Sequence, residues 1–294
     1  MSASAASSSS GPPAETTQHE KLVERARNRD EPSRTKTLRQ RYAQNLRGQL
    51  ASIRSALREG IVENDAFGLQ TEVLADAPGD RAFDFTTNPK KVDAASRWLD
   101  RQLENGVITE YGGENQYIET AYLKGLEDAQ AELSALGIGG EGSSVAAATR
   151  LPVHREQLET LYARNLSELE SLTDDITTDV RRELSSGLQS GDGPRDIAGD
   201  LSDIIGQVDD GTPRAAMNRA TMIARTELMN SHNWGRLQEW ERAGVTKVDV
   251  LIATDACPQC QAYKAGAPYE ASEAYGNLPR HPNCRCSHTI WTRN

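Results

Sequence analysis

Apolar residues recur at helical spacing along most of this chain, and the stripes are long. Leu38, Tyr42, Leu46, Leu50, Ile53, Leu57 and Ile61 repeat every three or four positions. They predict a long amphipathic helix whose last turn Gly60 closes. A second stripe, Val92, Ala95, Trp98, Leu99 and Leu103, follows Asn88-Pro89, which reads as an N-cap with proline in the first turn. Gly106 is its expected stop. Ile118, Tyr122, Leu126, Ala129 and Leu133 mark a third helix starting near Glu114. The longest stripe covers residues 152–189, through Leu158, Tyr162, Leu166, Leu169, Leu172, Ile176, Val180, Leu184 and Leu188. As one rod it would measure about 55 Å. A break is expected at Leu172-Thr173-Asp174, where threonine and aspartate can cap a new start.

Elsewhere the pattern weakens or changes period. Residues 1–19 are serine, alanine and proline with a polar remainder, and predict a disordered tail. Residues 66–87 read as irregular, with Pro78-Gly79 as a turn and Phe83 and Phe85 as anchors. Gly137, Gly139, Gly140 and Gly142 fall in a run of small residues, so 138–150 reads as a linker. It would separate a helical amino-terminal domain, 20–137, from a carboxy-terminal domain, 151–294. In the latter, Pro194 opens a short helix packed through Ile197 and Leu201, and Thr212-Pro213 opens the helix carrying Arg225-Thr226-Glu227.

Met217, Ala220, Ala224 and Leu228 give that helix an apolar stripe, while Thr226, Asn230 and Asn233 stand on another face. Short polar side chains in a row suit either solvent or hydrogen bonds to a neighbouring segment. Arg225 and Glu227 flank them, placed to pair with other loops. Trp234, Leu237 and Trp240 read as packing residues. After Gly244, Val248, Val250 and Ile252 alternate as a strand, with Thr289 to Thr292 available to pair with it. The fold class expected is α+β, mostly α.

Composition narrows the function. Hydrophobic residues make up 37%, a low share, and the net charge is −10. Only 7 of the 33 basic residues are lysine. An acidic, lysine-poor, alanine-rich chain suits a protein kept soluble in concentrated salt. Its negative surface weighs against general nucleic-acid binding but leaves room for a local arginine patch. No cationic segment leads into an apolar one at the amino terminus and no 18-residue apolar run occurs, so neither a secretory signal nor a membrane span is expected.

All four cysteines lie near the carboxy end, in Cys257-Pro258-Gln259-Cys260 and in His281-Pro282-Asn283-Cys284-Arg285-Cys286. A three-residue step lets both sulfurs of the first pair face one ion, and a second donor set then closes a tetrahedron. The first choice of ligands is Cys257, Cys260, His281 and Cys286. Cys284 is the alternate, and a site of all four cysteines the next choice. A disulfide or free thiols remain open. With this many donors no coordination position is left for chemistry, so a structural zinc is expected rather than a catalytic one. His288 reads as an exposed or edge-packed fifth donor.

Rival readings are an enzyme and a DNA-binding module. Cys-x-x-Cys opening a helix beside a strand can be redox-active, and Glu227 or Asp255 could serve a hydrolase, yet neither has a nucleophile or histidine partner in the pattern. A zinc-stabilised DNA-binding module is suggested by Arg280 and Arg285. No catalytic set emerges, and the chain reads as a non-enzyme.

The ordered series Ile223-Ala224-Arg225-Thr226-Glu227, Asn233, Gly235, Gly244, a strand, Asp255, the Cys-x-x-Cys pair and the His-Pro-Asn-Cys-Arg-Cys tail resembles the Mu F-like minor head proteins of tailed viruses. Leu188 to Leu201 fits the same pattern, and the likeness covers residues 150–290. The resemblance implies a minor capsid protein in the virion head near the portal vertex, and the salt-suited composition adds the expectation of a haloarchaeal host. Its partners would be the portal protein, the major capsid or internal head proteins and, locally, packaged DNA, with no membrane. It would aid head assembly, DNA packaging or genome delivery.

Overall fold

A computed structural model describes residues 31–69, 88–138, 150–206 and 216–292, with short pieces at 17, 20–21, 23–24, 72–74, 81–83 and 145. Seven helices and two small sheets make up the labelled elements. They are α1 (Lys36–Val62), β1 (Glu72–Leu74), β2 (Arg81–Phe83), α2 (Asn88–Leu103), α3 (Gln116–Ala135), α4 (Pro152–Ser190), α5 (Pro194–Ile205) and α6 (Ala216–Arg242). After them come β3 (Lys247–Leu251), a seventh and short helix α7 (Pro258–Ala265), β4 (Tyr269–Glu270) and β5 (Ser287–Ile290). The expected class is what is found: mostly helix, with a small antiparallel sheet, ordered β4-β3-β5, near the carboxy end. The tail at 1–19, apart from Thr17, most of 138–150 and the Thr212-Pro213 cap lie outside the described residues.

The predicted stripes of α1 and α3 are the buried faces. Tyr42, Leu46, Leu50, Ile53, Leu57 and Ile61 point into one core that Ile118, Tyr122 and Leu126 join. Asn115 caps α3, its Oδ1 accepting from the amides of Tyr117 and Ile118. Three expectations need correcting. Gly106 does not stop α2; a π-helical turn, Glu104–Ile108, carries the chain on to Tyr111. A Cβ on Gly106 would meet the Gln49 and Ile53 side chains of α1 only at ordinary contact distance. α4 does not break at Leu172-Thr173-Asp174 but continues as one 39-residue helix, about 58 Å long. Thr173 Oγ1 donates back to the Glu170 carbonyl, and the buried run Leu169, Leu172, Ile176 crosses the expected break without losing register. Within 66–87, the described pieces β1 and β2 pair as antiparallel strands.

α6 is the axis of the molecule. α3, α1, α4 and β5 all pack against it. Residues from both sides of the glycine-rich stretch 138–150 build the single large core around it. The crossing of α3 and α6 is set by two glycines facing each other's backbone. A Cβ on Gly125 would lie 2.1 Å from the His232 carbonyl oxygen, and one on Gly235 would lie 2.2 Å from that of Tyr122. Only residues without a side chain permit backbones this close.

Because α6 is surrounded, many of its polar residues are buried too, and Glu227, His232, Arg236 and Glu239 are each met by another element. Glu227 is 1% exposed and takes two hydrogen bonds from Arg164 Nε on α4. Burial still pushes its carboxyl up, with Arg164 working against that. His232 pairs with Asp128 of α3 at 3.0 Å. Glu239 accepts from Gln130 and Arg242, and His154 of α4 sits 3.9 Å from it while bonded to Tyr122 at 2.8 Å.

Candidate metal centre

β3 and β5 pair with Val248 opposite Ile290 and Leu251 opposite Ser287, close to the predicted pairing but two residues earlier on the second strand. β4, not foreseen, pairs on the other edge. β3 delivers the chain to Cys257, which is the N-cap of α7 with Pro258 in the first turn. Cys260 is one turn further on and fully buried. The second half comes from a tight turn in which the Cys284 amide donates to the His281 carbonyl, leading directly into β5. Lys264 of α7 binds both carboxylate oxygens of Asp249 on β3, and Tyr263 stacks on Tyr269 at 4.4 Å. These contacts fix α7, and with it Cys257 and Cys260, against the sheet.

The donors converge. Cys257 Sγ and Cys260 Sγ each lie 3.3 Å from His281 Nε2, and Cys260 Sγ lies 3.6 Å from Cys284 Sγ. They form two overlapping groups, Cys257–Cys260–His281 and Cys260–Cys284–Cys286, that could hold a metal ion. A tetrahedral ion with metal–sulfur bonds of about 2.3 Å would set its sulfurs about 3.8 Å apart and sulfur from imidazole nitrogen about 3.5 Å. The observed separations fit such an edge. They do not fit a disulfide, which requires about 2.05 Å, and all four cysteines are free. Cys260 is the shared corner, and both Cys284 and Cys286 stand within reach of it.

The electrostatics of the bare donors point the same way. Backbone amides at the start of α7, that of Cys260 first, lower the Cys257 thiol. Hydrogen bonding from Cys286 is the main cause that brings Cys284 down to about 5. Burial pushes Cys260 up to about 12, helped by the neighbouring Cys284 charge, and Cys286 rises further because its thiol is bound to Cys284. One thiolate is thus favoured and its neighbours resist ionising beside it. A cation at the centre removes that conflict, since it stabilises each thiolate it binds.

The residues flagged on sequence are brought around this centre unevenly. Arg225 Nη1 donates to Asn283 Oδ1 at 2.8 Å, tying α6 to the metal loop. Asn233 is buried; its Oδ1 accepts from Ser287 Oγ and the His288 amide, fixing the start of β5. Asp255, 66% exposed, pairs with Arg285. Thr226 is half-buried, and Asn230 is buried with neither amide atom paired within the described residues. Glu227 is turned away to Arg164. Arg280 lies over the Tyr263 ring at 5.1 Å. His288 is not exposed or edge-packed but fully buried, bonded to Tyr263, and burial drives its imidazole down to about 3.

The site's strongest support was missed on sequence. Glu132 on α3 receives Arg236 of α6, the Thr289 hydroxyl and the Ile290 amide, and Arg236 also donates to Ser287. This buried clasp joins two helices to β5 directly beyond Cys286. Glu132 falls where its helix stripe calls for nothing, so no local pattern marks it.

No family model, curated protein or solved structure matches the chain.

Proposed function

We propose that this protein is a minor head protein of a tailed virus, positioned at the portal vertex, with a zinc ion closing its carboxy-terminal knob. The observation that carries the reading is physical coherence within the resembling series. Arg225 binds Asn283, Asn233 binds Ser287 and His288, and Asp255 binds Arg285. Motifs spread over some sixty positions thus belong to one packed unit, which supports the reading. Zinc is the ion assigned, because thiolates with one imidazole at tetrahedral spacing suit it and leave no open position. Its role is structural: Cys257, Cys260, His281 and Cys286 or Cys284 hold the ends of β3 and β5 together.

On this reading the activity is binding. The portal protein is the first partner, with major capsid or internal head proteins beyond it, and the acidic surface suits a host at high salt. Cross-linking mass spectrometry on purified particles tests the assignment. Links from residues 31–135 to a portal-like ring protein are expected. Absence of the chain from particles, with no link to any head component in lysate of producing cells, would sink it.

An enzyme is the second reading, favoured by Cys257 at a helix start with a lowered thiol. Stoichiometric zinc that resists exchange, together with no titratable thiol in the native protein, would eliminate that reading. Metal-free protein with a fast-reacting Cys257 would promote it.

A further inference from the structure

A cleft of about 360 Å3 opens where the start of α1, the middle of α6 and the metal loop meet. Lys36, Arg39, Arg225 and Arg285 line it, with Glu31 and Asn283. In a chain of net charge −10 this gathers four cations from three distant segments. Glu31 neutralises Arg39, and Asp255 neutralises Arg285. Among the described residues neither Lys36 nor Arg225 has a carboxylate in ion-pair range, so two positive charges are unbalanced.

Three features make this more than a chance gathering. Arg39 is only 6% exposed, yet its Nε has no hydrogen-bond partner among the described residues. An unmet buried donor on a charged side chain is costly unless something accepts from it. Burial, and the nearby guanidinium groups of Arg225 and Arg285, disfavour the charge of Arg39, with Glu31 opposing them. Finally, α1 begins here with no acidic residue in its first turn and no side-chain cap from Thr35, whose hydroxyl is taken by Glu31 and Met229. The positive end of a 27-residue helix adds to the field.

We propose that this cleft binds a phosphate group, either of a free phosphate-class anion or of a polynucleotide backbone. Two unbalanced charges match a dianion or two successive phosphodiesters better than a single carboxylate. Planar guanidinium forks suit tetrahedral oxyanions. Asn283 holds Arg225 through one nitrogen and leaves its other donors available. A bound phosphate would join the first turn of α1 to α6 and to the metal loop. The proposal does not rest on the virion assignment, since every probe acts on the isolated protein.

The test is titration of the full-length, metal-loaded protein with inorganic pyrophosphate and, separately, with a short oligothymidylate, at low and high salt. Saturable binding that weakens with salt is expected for at least one probe. Pyrophosphate alone would identify a free-anion site, and the oligonucleotide bound as tightly or more so would identify a backbone site. The double variant Lys36→Gln/Arg225→Gln should bind about tenfold more weakly or worse, while Arg182→Gln, exposed on α4, should bind as wild type. If the double variant does not fold by circular dichroism, Lys36→Gln alone carries the test with the same readout. No saturable binding of either probe, or unchanged affinity in the cleft variant, overturns the proposal.

Discussion

The helical body and the cysteine knob solve the same problem with different materials. In the body, α1, α3 and α4 bury Tyr42, Leu46, Ile118, Tyr122, Leu169 and Leu184, large side chains that leave water in long continuous rows. In the knob, the innermost cluster is Val250, Cys260, Tyr263, Leu278, Cys284 and Cys286, half of it thiols. Between them lies a small patch of Leu237, Trp240, Val248 and Ile290 and the polar clasp at Glu132. Where apolar side chains run short, closure passes to directional bonds. The body therefore should tolerate loss of any one polar contact better than the knob tolerates loss of one donor.

The largest effect should come from withdrawing the proposed metal. Binding of structural zinc is worth on the order of 10 kcal/mol in small domains. Chelation, or Cys260→Ser at the shared corner, should abolish amide protection over residues 245–292 while the helical circular dichroism largely survives. Loss of the helical signal in step with the metal would erase the distinction between the two regions. Next is Glu132→Ala, which strands Arg236 in the interior and should cost about 3–5 kcal/mol in denaturant unfolding. Because the clasp touches both regions, both should weaken; an effect on one alone would locate the joint elsewhere.

Gly235→Ala should cost about 3 kcal/mol, since the added carbon meets backbone rather than a side chain that can rotate away. Asn233→Ala removes the hold on the Ser287 hydroxyl and His288 amide and should cost about 1–2 kcal/mol, with exchange accelerated in β5 before α6. The smallest effect is on pH dependence. His154 is fully buried, and burial lowers its pKa below 6.5, with Glu239 opposing. The unfolded chain then takes up the proton first, so stability present above pH 6.5 declines as the pH falls, by about 1.4 kcal/mol per pH unit. His154→Gln should lessen that slope, the buried His232 and His288 keeping their own shares. An unchanged slope would assign the acid sensitivity to other groups.

Local physics was readable in advance. Apolar period placed α1, α3 and α4, Gly244 acted as a boundary, alternation at Val248 and Val250 gave β3, and the spacing of Cys257, Cys260, His281, Cys284 and Cys286 drew one site together. Each depends on neighbours within a turn or two. α6 was only half legible, because its apolar stripe is interrupted by Glu227, His232, Arg236 and Glu239, and such residues normally mark a solvent face.

Only the packed structure decided that these residues are interior, since each becomes affordable through a partner on another element: Arg164, Asp128, Glu132 and Gln130. The same holds for the unbroken α4, whose capping residues were overruled by continuous burial, and for the backbone crossing of Gly125 with Gly235. The cationic cleft likewise joins Lys36, Arg225 and Arg285 from segments far apart in the chain. Sequence by itself determined the elements and the donor set, because helical hydrogen bonds and chelate spacing are short-range. Tertiary structure determined which polar groups lie inside and what they meet, because a buried charge is stable only beside a specific distant neighbour.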